Sequence, residues 1–371
     1  MSKSWKTVAV GAAAACTAVF WVLPVGAANA AGPACTPDAG GTGLSAAVVA
    51  RPHEKIVHRN IHTGCDIGIY IGAGVSGVQV DHVRVSGAGF QGIFVEKTSH
   101  VVIEHSTIAN NGWRTIDPSA PPLAGSGVRS YVSQSFGVSL FGVSDSVVRG
   151  NRVYDNGRGG IGLMDNGPND PGATASQQNP AAAVVASTDD TINGNRMWAN
   201  YNGCALVAAT QNPGGHLSGL ALVGNRILGT GISPSNGPDV GGLVVAADPP
   251  GSTVSNVTVT GNKVAGSFEG GIIVNAEAPA VGPFAASATH NVWIAGNTVS
   301  ANNQGHLEAP NTAGIIVNAA APGTRNTNTV VAVNHISRQF YGIWSNGDDA
   351  PATLGNHIRV SDGGVPIFHQ G

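Results

Sequence analysis

Val257-Thr-Val-Thr-Gly-Asn-Lys-Val264, followed by Gly271-Ile-Ile-Val274, decides the fold of this chain. In the first phrase apolar and polar residues alternate up to a Gly-Asn pair and resume after it. In the second, a glycine opens a short apolar run. Alternation at period two means a short strand with one buried face. Both phrases return along the chain. The glycine phrase occurs nine times: Gly68-Ile-Tyr-Ile71, Gly92-Ile-Phe-Val95, Gly137-Val-Ser-Leu140, Gly160-Ile-Gly-Leu163, Gly203-Cys-Ala-Leu206, Gly242-Leu-Val-Val245, Gly271-Ile-Ile-Val274, Gly314-Ile-Ile-Val317 and Gly342-Ile-Trp-Ser345. Val292-Trp-Ile-Ala-Gly-Asn-Thr-Val299 is a second clear copy of the Gly-Asn phrase. A two-part unit repeated this often is a solenoid, whose units bury their apolar faces by stacking on one another.

Successive glycine phrases lie 24, 45, 23, 43, 39, 29, 43 and 28 residues apart. The floor near 23 is one turn of a three-strand coil, and the excess is inserted loop. The glycine phrase forms the first strand, the run ending in Gly-Asn the second, and the residues after Asn open the third. The spacing predicts an all-β, single-stranded parallel β-helix of about nine to ten coils. Gly-Asn is the tight corner, since both residues tolerate left-handed backbone angles. Asn151, Asn195, Asn225, Asn262, Asn297 and Asn334 fall at that corner. Stacked about 4.8 Å apart, their amides can bond one another as an asparagine ladder.

Composition agrees. Of 371 residues, 42% are apolar and 11% charged, and 53 are Gly. High Gly with low charge can accompany disorder, but a disordered chain does not hold Val and Ile in fixed phase. Residues 1–30 read as a secretory signal: Lys3 and Lys6, then an apolar stretch over 7–25, then the small-x-small site Ala28-Asn29-Ala30. An uncleaved anchor is the alternative. No later stretch is long and apolar enough to span a bilayer. The expected organisation is a signal over 1–30, an N-terminal cap over 31–55 and the β-helix over 56–371. The formal net charge of −3 offers nucleic acid no bulk attraction. Outside the cell Cys35 and Cys65 are free to pair and would staple the cap to the first coil. Cys204 reads as a buried inward thiol.

With these phrases and the asparagine column, residues 56–368 resemble the right-handed parallel β-helix proteins of the pectin-lyase-like superfamily. The resemblance implies a right-handed helix and a cleft along the first strand and its loops. It is weak for activity, because the superfamily includes pectate lyases, polygalacturonases, epimerases, phage tailspikes and non-enzymes. Loops flank the first strand at 111–136, 229–241 and 300–313 before it, and at 166–188, 208–217 and 276–290 after it. Its outward positions are Tyr70, Phe94, Ser139, Gly162, Ala205, Val244, Ile273, Ile316 and Trp344. Family enzymes carry Asp, Arg, Lys or His on or near that face. Here Val244, Ile273 and Ile316 would make an exposed apolar strip unless loops or a partner cover them, and a homo-oligomer contact is one use for it.

Charges gather at the strand ends. Glu96 and Asp165 lie two coils apart, roughly 9–10 Å along the axis, and could act as acid and base around a water. Alternatively Asp155 and Asp165 could hold Ca2+ while Arg158 abstracts a proton. Asp155 in Asp-Asn-Gly also reads as plain turn chemistry. Asp248, Glu277 and Asp348 form a second acidic set that could bridge a cation or simply be solvated. Arg152, Arg196, Arg226 and Lys263 follow the corner Asn on four successive coils, a ridge that wants anionic company or is a solvated face. His53, His58 and His62 fit no zinc spacing and read as surface or cap residues. Lys97 and the aromatic residues Trp113, Trp198, Tyr201, Trp293 and Trp344 are candidates for sugar contact. No P-loop, dinucleotide fingerprint or Gly-x-Ser-x-Gly elbow is present. Three functions remain open: a secreted β-helix that binds and could cleave a polysaccharide as a lyase or glycosidase, a non-catalytic surface or envelope protein, and a metal-binding β-helix.

Overall fold

A computed structural model describes residues 34–112, 135–157, 159–167, 183–200, 203–230, 241–305 and 313–370. The described residues belong to one compact unit, Gly32–Gly371. Its strands form three sheets, all paired in parallel along their length. Sheet I has 11 strands, beginning with Ala46–Val49 and Ile67–Ile71 and ending with Tyr341–Asn346 and Val365–Gln370. Sheet II has 13 strands and sheet III has 10. The chain visits I, II and III in turn, as in Phe136–Phe141, Val147–Arg149 and Arg152–Tyr154, and then climbs one coil. The strand assignments read from the glycine and Gly-Asn phrases therefore hold. The coil starts at Ala46, upstream of residue 56, because Ala46 is already in register with Ile67. Among the described residues no helix is long and apolar enough to cross a membrane.

Inward residues of the three sheets make one continuous core, with Ile93, Ile103 and Ile108 contributed by a single coil. Each fully buried Ile or Val stabilises the fold by roughly 1.5–3 kcal/mol. The glycine that opens each sheet I strand has a steric cause. A Cβ on Gly137 would fall 2.7 Å from Val153 Cγ1, the inward side chain of the next sheet III strand. The prism closes only where that atom is missing.

At the corner between sheets II and III, Gly261 has φ 65° and Asn262 is fully buried. The Asn262 amide donates to Asn297 Oδ1 at 3.0 Å and to the Leu222 carbonyl at 2.9 Å, and Oδ1 accepts from the Asn225 backbone N–H at 2.9 Å. The same bonds run from Asn151 through Asn195 and Asn225, and onward through Asn334 to Asn356. A second amide column, absent from the sequence reading, stands at the corner between sheets III and I. Asn111 donates to Asn156 Oδ1, and Asn156 to Asn200 Oδ1, both at 3.1 Å. Its signal was present: an Asn five residues after Asn151, Asn195 and Asn297.

The disulfide joins Cys35 to Cys65 and ties the N-terminal segment to the first coil. Cys204 is outside the disulfide and buried, but not where the repeat placed it. Leu206 aligns with Ile161 and Val207 with Gly162. The fifth copy thus begins at Ala205, two residues later than the glycine phrase suggested. Cys204 packs with the outer cluster of sheet I, and Ala205 belongs to the inner core. A slip of two keeps the alternation, so period alone could not detect it.

Candidate functional site

Sheet I does not present its outward residues to solvent. Tyr70, Phe94, Val207, Val244, Ile273, Ile316 and Trp344 belong to a second apolar cluster. Val244, Ile273 and Ile316 are each 2% exposed. The strip, which the sequence leaves exposed unless loops or a partner cover it, is a buried layer. Trp344, 4% exposed and in register with Ile316 and Phe368, is a packing residue and not a sugar platform.

The candidate carboxylates are engaged within the protein. Glu96 ends the strand Gln91–Glu96 and is buried. One of its oxygens accepts from Tyr70 Oη at 2.5 Å and the other from Asn166 Nδ2 at 3.3 Å. Burial, reinforced by the Glu96 charge, raises the Tyr70 pKa far above its usual value. Asp165 follows Met164 at the strand end and is fully buried. It accepts from the Gln211 backbone N–H at 2.5 Å and from Asn212 Nδ2 at 2.9 Å, tying its coil to the next. Burial pushes its carboxyl up to about 6, against the lowering effect of those donors. Glu96 and Asp165 thus serve different partners within the described residues. Asp155 takes the left-handed corner position, φ 52°, just before buried Asn156. Asn110 and Ala199 hold the same angle beside Asn111 and Asn200, which makes Asp155 a turn residue first. Arg158, Trp113 and Tyr201 lie outside the described residues.

Asp190 was not singled out from sequence. It is 1% exposed, and Oδ1 accepts from the Ser146 backbone N–H at 2.9 Å. Burial first, then the charges of Asp145 and Asp189, raise its carboxyl to about 8. In the second acidic set, Glu277 Oε1 accepts from Asn275 Nδ2 at 2.9 Å, and the Asp248 backbone N–H donates to Thr210 Oγ1 at 3.1 Å.

Lys97 stands at the corner leaving sheet I with φ 47° and lines an open groove of about 640 Å³ with Ser76, Thr98, Ser99, Ser144 and Thr188. Trp293 is 45% exposed on the outer face of sheet II, between Thr258 and Val330. Among the described residues it stacks on no other ring.

Sheet III carries the most organised outer face. Arg152, Arg196, Arg226 and Lys263 stand in strict register on four successive coils, and all four are exposed. Among the described residues none of them is ion-paired with a carboxylate. Two residues further along the strands, on the same face, Tyr154 and Trp198 stack at 4.3 Å with planes 9° apart. The Arg196 guanidinium lies 5.1 Å from the Trp198 ring centre. Alternation produces this face: Val153, Met197, Ile227 and Val264 point into the core, so their neighbours must point out. Adjacent coils put like charges about 5 Å apart, where two unit charges in water repel by roughly 1 kcal/mol. Such a column favours anionic company.

Comparison with known proteins matches just under half of the chain to one family. The family described as "Right handed beta helix region" matches residues 45–227. Among solved structures, the chain is similar to the A-module of an Azotobacter vinelandii mannuronan C-5 epimerase, with 15% identity, a TM-score of 0.41, and coverage of 86% of this chain and 80% of that one. It is similar to endo-xylogalacturonan hydrolase from Aspergillus tubingensis, with 11% identity, a TM-score of 0.43, and coverage of 89% and 88%. It is also similar to PfbA, a surface adhesin of Streptococcus pneumoniae, with 11% identity, a TM-score of 0.40, and coverage of 87% and 84%. A comparison with curated protein sequences finds no match.

Proposed function

We propose that this chain, a right-handed parallel β-helix repeat protein of the pectin-lyase-like superfamily, is a secreted protein that binds an acidic polysaccharide on the outer face of sheet III without cleaving it. One observation carries the reading: four exposed, unpaired cations in register beside a stacked Tyr154–Trp198 pair. An extended polyanion laid along the helix axis meets one cation per coil, and the aromatic pair supplies a rigid apolar edge for sugar C–H groups. Secretion rests on the signal pattern over residues 1–30 and on a disulfide suited to an oxidising compartment. N-terminal sequencing of protein from the medium should begin after Ala30.

The binding test is a glycan panel on the purified mature chain. Polyuronates and sulfated glycans should bind and neutral glycans should not. Affinity should fall by at least about tenfold between roughly 50 and 200 mM salt, the behaviour of contacts that release counterions. Binding of neutral glycans alone, or no dependence on salt, would refute the cation column as the receptor.

A second reading, cleavage by a lyase or glycosidase, is supported by Lys97 lining the groove one residue after Glu96. Catalysis from there needs Glu96 to leave Tyr70 and Asn166. New unsaturated-uronate absorbance, or new reducing ends, on any glycan of the panel with or without Ca2+ would favour cleavage. Loss of that turnover in Glu96→Gln would assign it to this corner.

A further inference from the structure

The left-handed corner position between sheets II and III is Gly in Gly150, Gly194, Gly224, Gly261 and Gly296, with φ from 62° to 65°. On the three coils before these it is histidine: His58, His82 and His105, with φ 53°, 52° and 47°. A side chain there costs about 1–2 kcal/mol that glycine avoids, although histidine is among the residues that tolerate it. The three exposed imidazoles stand above one another, with ring centres 5.3 Å apart from His58 to His82 and 5.1 Å from His82 to His105. Asp81 Oδ1 lies between two of them, 2.7 Å from His82 Nδ1 and 3.2 Å from His105 Nδ1.

We propose that Asp81, His82 and His105 form a surface site for a divalent transition-metal ion of the Zn2+ class, with His58 as a flanking imidazole. The three ligand atoms lie within 4.8 Å of one another. Ligands at about 2.0–2.1 Å around a tetrahedral ion sit roughly 3.3 Å apart. The two measured separations from the carboxylate need only a small opening to reach that edge. Two imidazole nitrogens and one carboxylate suit Zn2+, Ni2+ or Cu2+ far better than Ca2+.

The surroundings keep this carboxylate available. Glu104, the next acidic side chain along the column, is taken by Arg149 at 2.6 Å and by Gln79 Nε2 at 2.9 Å. Glu104 and Arg149 offset each other, so with neutral imidazoles the cluster keeps the single negative charge of Asp81. Three protein ligands leave the fourth tetrahedral position facing solvent. The intervals 58–82–105 belong to the coil and not to a local motif, which is why sequence spacing hid the group.

The test is calorimetric titration of the untagged mature chain with Zn2+. One ion should bind per chain. His82→Asn and His105→Asn keep a residue that accepts the left-handed angle while removing the imidazole, and each should weaken binding by at least about tenfold, as should Asp81→Asn. His335→Asn is the control, because the His335 and His357 rings lie 5.4 Å apart, tilted, with no ligating carboxylate among the described residues. It should leave affinity unchanged. A second measurement needs no substitution: bound Zn2+ should slow diethyl pyrocarbonate modification of His82 and His105 in the parent chain, and not of His335. Absence of Zn2+ binding, binding unaffected in the His82→Asn/His105→Asn double variant, or absence of protection overturns the proposal.

Discussion

Sheets I and III are built from the same alternation around the same aliphatic core, yet their outer faces are opposites. Sheet I carries Val244, Ile273, Ile316 and Trp344 outward and buries them in a second apolar layer. Sheet III carries Arg152, Arg196, Arg226 and Lys263 outward and leaves them in solvent. The coil dictates what points inward and says nothing of what the outer face is for. Chemistry on a solenoid must therefore be sought face by face. Here the sheet that the superfamily resemblance nominated is occupied by packing, and the organised polar surface lies elsewhere.

That contrast can be broken most forcefully at the tryptophans. Trp344→Ala on the buried face should cost about 3–5 kcal/mol in urea unfolding, whereas exposed Trp293→Ala should stay within about 0.5 kcal/mol. Equal effects would mean that the outer layer of sheet I is not a core. Next comes Asp165, at the end of a sheet I strand. Its folded pKa of about 6 exceeds the unfolded value of about 3.9, so the folded state holds the proton more tightly. The associated stability is complete below about pH 4 and lost as pH rises through 6. Between pH 4 and 7 the parent should lose roughly 3 kcal/mol more than Asp165→Asn. A parallel pH profile in the variant would place the titration on another group, with Asp190 the first to examine.

Tyr70→Phe is the third test. It leaves one oxygen of buried Glu96 without its donor and should cost about 1–3 kcal/mol. No loss would show Glu96 to be hydrated and available, which would strengthen the cleavage reading. The smallest effect on stability should come from sheet III. Arg196→Glu/Arg226→Glu should move unfolding by less than about 0.5 kcal/mol while weakening polyanion binding at least tenfold, about 1.4 kcal/mol. A large loss of stability there would make the column structural.

Fold and register were legible because a solenoid repeats its rules. Period two located the strands, Gly-Asn located a corner, and the Arg column followed from counting one residue past each Asn. What period two cannot report is whether an outward Ile meets water. Covering a face depends on chain far away in sequence, so the second apolar layer of sheet I was invisible. The slip at Ala205 was hidden for a related reason, since moving by two residues preserves every inside and outside. Asp165 looked like a catalytic acid because burial leaves no mark on a strand end. His82 and His105 were overlooked because their closeness belongs to the third dimension alone, one coil being 23 residues of intervening chain here.

The amide column begins only at Asn151, where the backbone N–H of Ser106 meets it at 2.8 Å, and it runs from there to Asn356. The coils below it lack this spine, although the second amide column starts one coil earlier at Asn111, and the first coil has one covalent cross-link, Cys35 to Cys65. The molecule is thus mechanically polar. Under reducing conditions it should unwind from its amino-terminal end, coil by coil, and stall where the asparagines start.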